Sequence, residues 1–176
     1  MPQVLRSDLR YLAVIRAQLE HVQKALKNAL SGTGAHVKTA TVFEDLDWKL
    51  AGVRPGLGTH TIYDELCHMI FWQDWVVRSL DGRNPAIPPH AGGSWPRSSQ
   101  PASRREWDRT VRQFRDGLTT LVRRSRASSR HSTRSTRSRL EMLHTIASHN
   151  SYHAGQVVLL RQLFNAWPPS SGGLTW

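Results

Sequence analysis

The chain has almost no cysteine and no long apolar run. Cys67 is the only cysteine in 176 residues, which excludes an intrachain disulfide and with it a secreted, disulfide-stapled scaffold. No stretch reaches the roughly 18 uninterrupted apolar residues of a membrane helix, and the amino terminus lacks an apolar signal core. We therefore expect a soluble, cytoplasmic protein. Its length and its 39% hydrophobic content predict one domain over residues 1–176.

Acidic residues are also few, 13 against 24 Lys and Arg, which gives a formal net charge of +11. Seven arginines between Arg123 and Arg139 account for most of this excess, so the rest of the chain carries only +4. This segment contains only Arg, Ser, Thr, His and one Ala, a composition that cannot bury against a core. We predict a flexible insertion over 123–139. Because the basic charge is local, a nucleic-acid partner is not favoured, although this segment could bind one.

Alternation of apolar and polar residues, the mark of a strand, is missing as well, and there is no repeat of fixed period. Apolar residues instead recur three or four apart, as expected for helices. Four long helices are predicted, at 4–30, 61–80, 103–121 and 140–167, with a shorter helical piece over 35–52 and a long crossover loop over 81–102. The fold class is therefore an all-α four-helix bundle.

Local signals place the ends of these helices. Thr61 with Asp64, and Ser103 with Glu106, have the spacing of capping boxes, while Pro168 follows the last helix. In the first helix seven residues form what we expect to be one buried stripe, namely Leu5, Leu9, Leu12, Leu19, Val22, Leu26 and Leu30.

Two histidines on the last helix suggest a metal site. His149 and His153 stand four apart in SHNSYHAGQ, so both imidazoles lie on one helical face. Neutral imidazole suits Zn²⁺ or Ni²⁺, and a catalytic site usually has three protein ligands and one open position. With nine histidines this spacing also arises by chance, so a third ligand is needed. His68, on the second helix beside Glu65, is the candidate; the alternative is a half-buried histidine bonded to a carbonyl.

Three segments in this order resemble the DinB-like family of metal-binding helical bundles: THTIYDELCHMIFWQDWVVRSLDG, SHNSYHAGQVVLLRQ and WPPSSGGLTW. The resemblance spans most of the chain. It implies that His68, His149 and His153 together hold one divalent transition metal, and that the protein forms a homodimer packed through helices. The segment 123–139 departs from the family pattern, either as an insertion or as a reading-frame artefact in the gene.

The character of this site points to its chemistry. Three neutral imidazoles leave the metal its full charge, which brings the pKa of bound water to about 7 and ionises a bound thiol outright. The carboxylate of the His-Glu-x-x-His peptidase pattern is missing, because Asn150, Ser151 and Tyr152 separate His149 from His153. Since some DinB-like proteins are thiol S-transferases, we hypothesise that a low-molecular-weight thiol is activated here and transferred to an electrophile. A metal-dependent hydrolase, or a non-enzymatic stress or interaction protein with a structural metal, are the alternatives.

Two further residues are candidates for the catalytic machinery. Glu65, one turn before His68, could accept a bond from a ligand or act as a base through water, unless it is an exposed helix carboxylate. Gln156, seven residues after His149, could orient a ligand, unless it is a polar residue at the bundle edge. No catalytic residue is assigned beyond these two.

For three neighbours of these candidates we expect a structural role and not a functional one. Cys67 is turned about 100° away from His68, so we expect a buried core thiol. Trp72 is expected to pack in the bundle, with a pocket wall as the alternative, and His60 is expected to be a loop residue that could line the site mouth.

Overall fold

A computed structural model describes residues 3–126 and 133–173 of the chain, and side chains at 10–126 and 139–173. Four α-helices make up most of it: α1 (Gln3–Ser31), α2 (Ile62–Leu80), α3 (Arg104–Arg126) and α4 (Thr133–Leu163). Three short 3-10 turns lie at Thr39–Thr41, Leu50–Gly52 and Ala91–Ser94. No strand occurs in these described ranges. The prediction of an all-α four-helix bundle is confirmed.

The helices pack as a square in which α2 and α1 occupy opposite corners, each against α3 and α4. Apolar side chains fill two adjoining clusters. One contains Leu66 and Met69 of α2 with Val157 of α4, and the other contains Val76 of α2 with Ile146 of α4. The contact between α2 and α4 therefore runs along both clusters. The predicted metal ligands lie where one cluster meets the other.

Capping bonds fix where α2 and α3 begin. The Thr61 hydroxyl oxygen accepts from the Asp64 backbone N–H (3.0 Å), and the Asp64 carboxylate accepts from the Thr61 N–H (2.9 Å), which completes the predicted box. At α3 the Ser103 hydroxyl oxygen accepts from the Glu106 N–H (3.2 Å). The Glu106 carboxylate, however, accepts from Ala102 (2.6 Å) and not from the cap, so this box is half formed.

The last helix ends at Leu163, four residues earlier than predicted. Asn165 adopts a left-handed conformation (φ 53°), and its N–H bonds the Gln162 carbonyl (3.1 Å). The Ala166 N–H bonds the Arg161 carbonyl (2.8 Å). These two bonds form a Schellman motif, which satisfies the last carbonyls of the helix before the prolines are reached.

The predicted helical piece over 35–52 is two separate 3-10 turns. Asp45 stands between them at a positive φ of 53°, which interrupts any continuous helix. Its carboxylate accepts bonds from the hydroxyl and the N–H of Ser170, and these bonds lower the pKa of Asp45. Val42 and Leu46 are nonetheless buried.

Less of the arginine-rich segment 123–139 lies outside the helices than the prediction of a loop implied. Its first residues, to Arg126, belong to α3, and its last, from Thr133, belong to α4. Ser125 is only 4% exposed and its hydroxyl donates to the Val122 carbonyl, because serine can satisfy its own polar group within a helix. The residues 127–132, and 174–176 of the third family-like segment, lie outside the described residues, so flexibility of the insertion stays a prediction.

The stripe on α1 is buried only towards its C-terminal end. Leu26 and Leu30 pack with Leu121 and Leu143, whereas the side chain of Leu12 is 60% exposed. Val22 is 42% exposed. The prediction of one continuous buried stripe is therefore wrong at these two positions, because the apolar cluster that receives α1 reaches only its last turns. The side chains of Leu5 and Leu9 lie outside the described part.

Candidate metal centre

Three histidine rings converge at the seam between α2 and α4. One ring nitrogen from each of His68, His149 and His153 lies within 4.8 Å of the others. The Nε2 atoms of His68 and His149 are 3.2 Å apart. Two imidazoles bound to one tetrahedral ion at roughly 2.0–2.1 Å would have their nitrogens about 3.3 Å apart, so this spacing fits a metal. The structure thus brings the three predicted ligands together.

The ring of His68 is held by the crossover loop. Its Nδ1 faces the carbonyl oxygen of Ser94 (3.3 Å), which leaves Nε2 directed at the other two histidines. The indole of Trp95 stacks on this imidazole, with centroids 4.0 Å apart and planes within 9°. On its other face Trp95 carries the ring of His60 (3.6 Å, 2°). A three-ring stack therefore fixes the orientation of His68.

The ring of His153 is held by a buried carboxylate. Its Nδ1 lies 2.5 Å from Oε2 of Glu65, which is 2% exposed. The Gln156 side chain, oriented to match its neighbours, donates to both oxygens of Glu65 (2.8 and 3.0 Å) and accepts from the Tyr152 hydroxyl (2.9 Å). Glu65 is thus neither exposed nor free, and its bond to Nδ1 leaves Nε2 of His153 for a metal.

The ring of His149 has no such partner. Its Nδ1 is buried without a hydrogen bond, and the neighbouring Asn150, although fully buried, has both amide atoms unpaired. Trp72 faces His149 instead, with ring centroids 6.3 Å apart.

Burial keeps two of the rings neutral. It lowers the pKa of His68 and of His149 from 6.5 to about 4 each, and electrostatic repulsion from the neighbouring imidazole of His153 adds to this effect. A neutral imidazole has the free lone pair that a metal needs. At neutral pH these two ligands are ready to bind without first losing a proton.

Cys67 takes no part in the cluster. It is half-buried against the core, and burial raises the pKa of its thiol to about 11. The thiol is therefore protonated and a poor nucleophile at neutral pH. The thiol packs against the core as predicted, but it is only partly buried.

Several residues at the site were not predicted from the sequence. Ser94 and Trp95 come from a loop of glycine, proline and serine, and no spacing rule connects them to His68. Tyr152 lies off the ligand face, yet it reaches the centre through Gln156. His60 does lie at the site, through Trp95, and Trp72 does form a wall of it.

These features define a class of protein, an all-α bundle with a three-histidine centre between two of its helices. The family model of the DinB superfamily matches residues 32–157, most of the chain and all three histidines. The chain belongs to the DinB superfamily. No curated protein and no solved structure matches it. Within the described residues, no helix has the length and apolar character to cross a membrane.

Proposed function

We propose that this protein is a metal-dependent thiol S-transferase, with zinc or nickel held by His68, His149 and His153. The observation that carries the proposal is the donor set, three imidazoles with no carboxylate among them in the described part of the chain. A divalent ion bound there would supply the positive charge that lowers the pKa of a coordinated thiol.

The environment of Glu65 favours thiol transfer over hydrolysis. Metal-dependent peptidases of the His-Glu-x-x-His type use a carboxylate base beside the attacking water. Glu65 instead bonds Nδ1 of His153, on the ring edge opposite Nε2, and its oxygens also accept from Gln156. It is engaged in orienting a ligand, so we assign Glu65 and Gln156 as positioning residues. Thiol transfer needs no such base once the sulfur is ionised.

The thiol must come from a substrate, because Cys67 is protonated and faces the core. In the proposed reaction the sulfur of a low-molecular-weight thiol forms a bond to an electrophilic carbon. The bond from that carbon to its leaving group breaks, the leaving group takes the electron pair, and the thiol proton passes to solvent. Burial lowers the pKa of His68 and of His149, so both imidazoles are neutral at neutral pH and can bind the metal without first losing a proton.

The first experiment is metal analysis of the purified wild type and of three variants, His68→Ala, His149→Ala and His153→Ala. We expect about one equivalent of metal in the wild type and little in the variants. His144→Ala is the matched control, because His144 is exposed on the same helix outside the cluster. Equal metal content in all five proteins would contradict the site.

The second experiment tests the reaction. A panel of small thiols is assayed with a generic chloroaromatic electrophile, using metal-loaded and metal-stripped protein. We expect conjugation with at least one thiol, lost on stripping and restored by Zn²⁺ or Ni²⁺. Ester or amide cleavage without conjugation would favour the hydrolase. A metal that raises the melting temperature without any activity would favour a structural role.

We further propose that the protein is a homodimer packed through α1. The exposed apolar side chains Tyr11, Leu12, Val14 and Ile15 on this helix support the proposal, because contiguous apolar surface of this kind marks contact sites. Light scattering should give the dimer mass for wild type and the monomer mass for Leu12→Glu/Ile15→Glu. Gln18→Glu, an exposed change on the same helix, is the control. A monomeric wild type would contradict this assignment.

A further inference from the structure

A cavity adjoins the histidine cluster on the His149 side. It has a volume of about 380 Å³ and lies between α2 and α4. Its walls are mainly apolar, and its lining residues are Trp72, Trp75, Val76, Glu141, Met142, Thr145, Ile146 and His149. This volume falls within the range of small-molecule sites, roughly 300–1,000 Å³.

The cavity is continuous with the candidate metal centre. His149 belongs to both, since its ring lines the cavity and also reaches His68. Trp72 joins them a second time, with its ring 6.3 Å from that of His149 and 6.0 Å from that of Trp75. A molecule in the cavity would therefore have one end beside the histidines and the rest between indole rings.

The lining also restricts the charge of an occupant. Glu141 is the only ionisable residue besides His149 among the described residues that line the cavity, and it is exposed at the rim. A carboxylate there disfavours an anion and tolerates a neutral group. Two indoles and the thioether of Met142 offer the flat, polarisable surfaces against which aromatic rings pack.

We propose that this cavity binds an uncharged aromatic group, and that the electrophile of the transfer reaction is therefore a neutral aromatic compound. The assignment of the electrophile rests on the proposed function, whereas the binding of an aromatic group does not. Sulfur held at the histidines would meet the electrophilic carbon at the His149 end of the cavity.

Binding can be measured without metal or thiol. The probes are N-phenyl-1-naphthylamine, which is neutral, and 8-anilino-1-naphthalenesulfonate, which has the same ring system with a sulfonate. In the metal-free wild type we expect the neutral probe to bind at least tenfold more tightly than the anionic one. Glu141→Gln should narrow that gap. Equal affinity for both probes, or no binding of the neutral one, would overturn the inference.

A substitution that fills the cavity tests whether the probe binds there. Thr145 lines the cavity and is exposed, so Thr145→Trp should occupy the space without disturbing the core and weaken the neutral probe at least tenfold. Ser148→Trp adds the same side chain at an exposed position outside the cavity, and should change the affinity less than twofold. Equal behaviour of the two variants would show that the probe binds elsewhere.

The substrate class is tested with metal-loaded protein and a second matched pair, neutral 1-chloro-2,4-dinitrobenzene and anionic 4-chloro-3,5-dinitrobenzoate. We expect a lower KM for the neutral compound, and a raised KM with little change in kcat in Thr145→Trp. Probe binding without any transfer would refute the proposed function and leave the cavity assignment standing. If KM and kcat of the transfer reaction are the same in Thr145→Trp as in the wild type, only the cavity assignment is refuted.

Discussion

The two sides of the histidine cluster differ in how they hold their rings. On the His153 side a polar chain runs from Tyr152 through Gln156 and Glu65 to the ring, with every link a hydrogen bond. On the His149 side the Nδ1 atom has no partner, and the ring faces Trp72 and an apolar cavity. One side orients a ligand by hydrogen bonding, and the other leaves space beside it. In the proposed function, the hydrogen-bonded side orients a metal ligand, and the apolar side leaves room for the substrate beside His149.

The largest effect should follow from breaking the polar side. Glu65→Ala leaves Nδ1 of His153 and the Gln156 amide unpaired, so we expect metal affinity to fall about 10- to 100-fold. Competition with a chelating dye measures this. Met142→Ala, on the apolar side, is the matched control and should change the affinity less than about twofold. Equal losses in both variants would remove the distinction between the sides.

The next effect is on the stability of the metal-free protein. The pKa values of His68 and His149 are about 4 when folded and ordinary, near 6.5, when unfolded, so between these values the unfolded chain binds more protons. Stability should therefore be full above pH 6.5 and fall as pH drops towards 4, by at most about 1.4 kcal/mol per pH unit for each histidine. Urea unfolding at pH 7 and pH 5 tests this. In His149→Gln the dependence should shrink, and unchanged stability across this range would contradict the burial of both rings.

A smaller effect is expected from the ring stack. Trp95→Leu removes the indole from the face of His68, and aromatic pairs of this kind contribute about 0.5–1.5 kcal/mol. Metal affinity should fall about two- to tenfold. Trp48→Leu removes an indole that lies outside the cluster and serves as control. If both substitutions leave the affinity unchanged, the stack does not orient the ligand.

The smallest effect should come from the outer end of the polar chain. Tyr152→Phe deletes only the hydroxyl that bonds Gln156, on a side chain that is 66% exposed, so water can replace it. We expect a loss of metal affinity of about two- to threefold. A loss as large as that of Glu65→Ala would mean that the hydrogen-bonded side chains from Tyr152 to His153 act as one unit.

Helical periodicity predicted the bundle well because it reports which face of each segment is apolar. It does not report whether a partner covers that face, which is why Leu12 is exposed although it lies on the same stripe as buried Leu26. Periodicity also does not predict the backbone conformation of single residues. Asp45 and Asn165, both at φ 53°, end or interrupt helices that the side-chain pattern would have continued.

The site was predictable to the extent that it depends on helix spacing and on family resemblance. The turn between His149 and His153 follows from their separation. Glu65 shares a helix face with His68, and Gln156 shares one with His149 and His153. Ser94 and Trp95 reach His68 only because a loop of irregular backbone folds over α2. Contacts of that kind arise from tertiary packing, and no local pattern in the chain encodes them.

The stack of His60, Trp95 and His68 also places a fluorescent side chain at the candidate metal centre. An indole in contact with a ligand imidazole reports on whatever that ligand binds, through its emission at near-ultraviolet excitation. Open-shell Ni²⁺ or Co²⁺ should quench the Trp95 emission, whereas closed-shell Zn²⁺ should leave it bright. The difference between wild type and Trp95→Leu isolates this signal from the other six tryptophans. The emission of Trp95 would therefore report whether a metal binds at the candidate centre and whether that metal is open-shell.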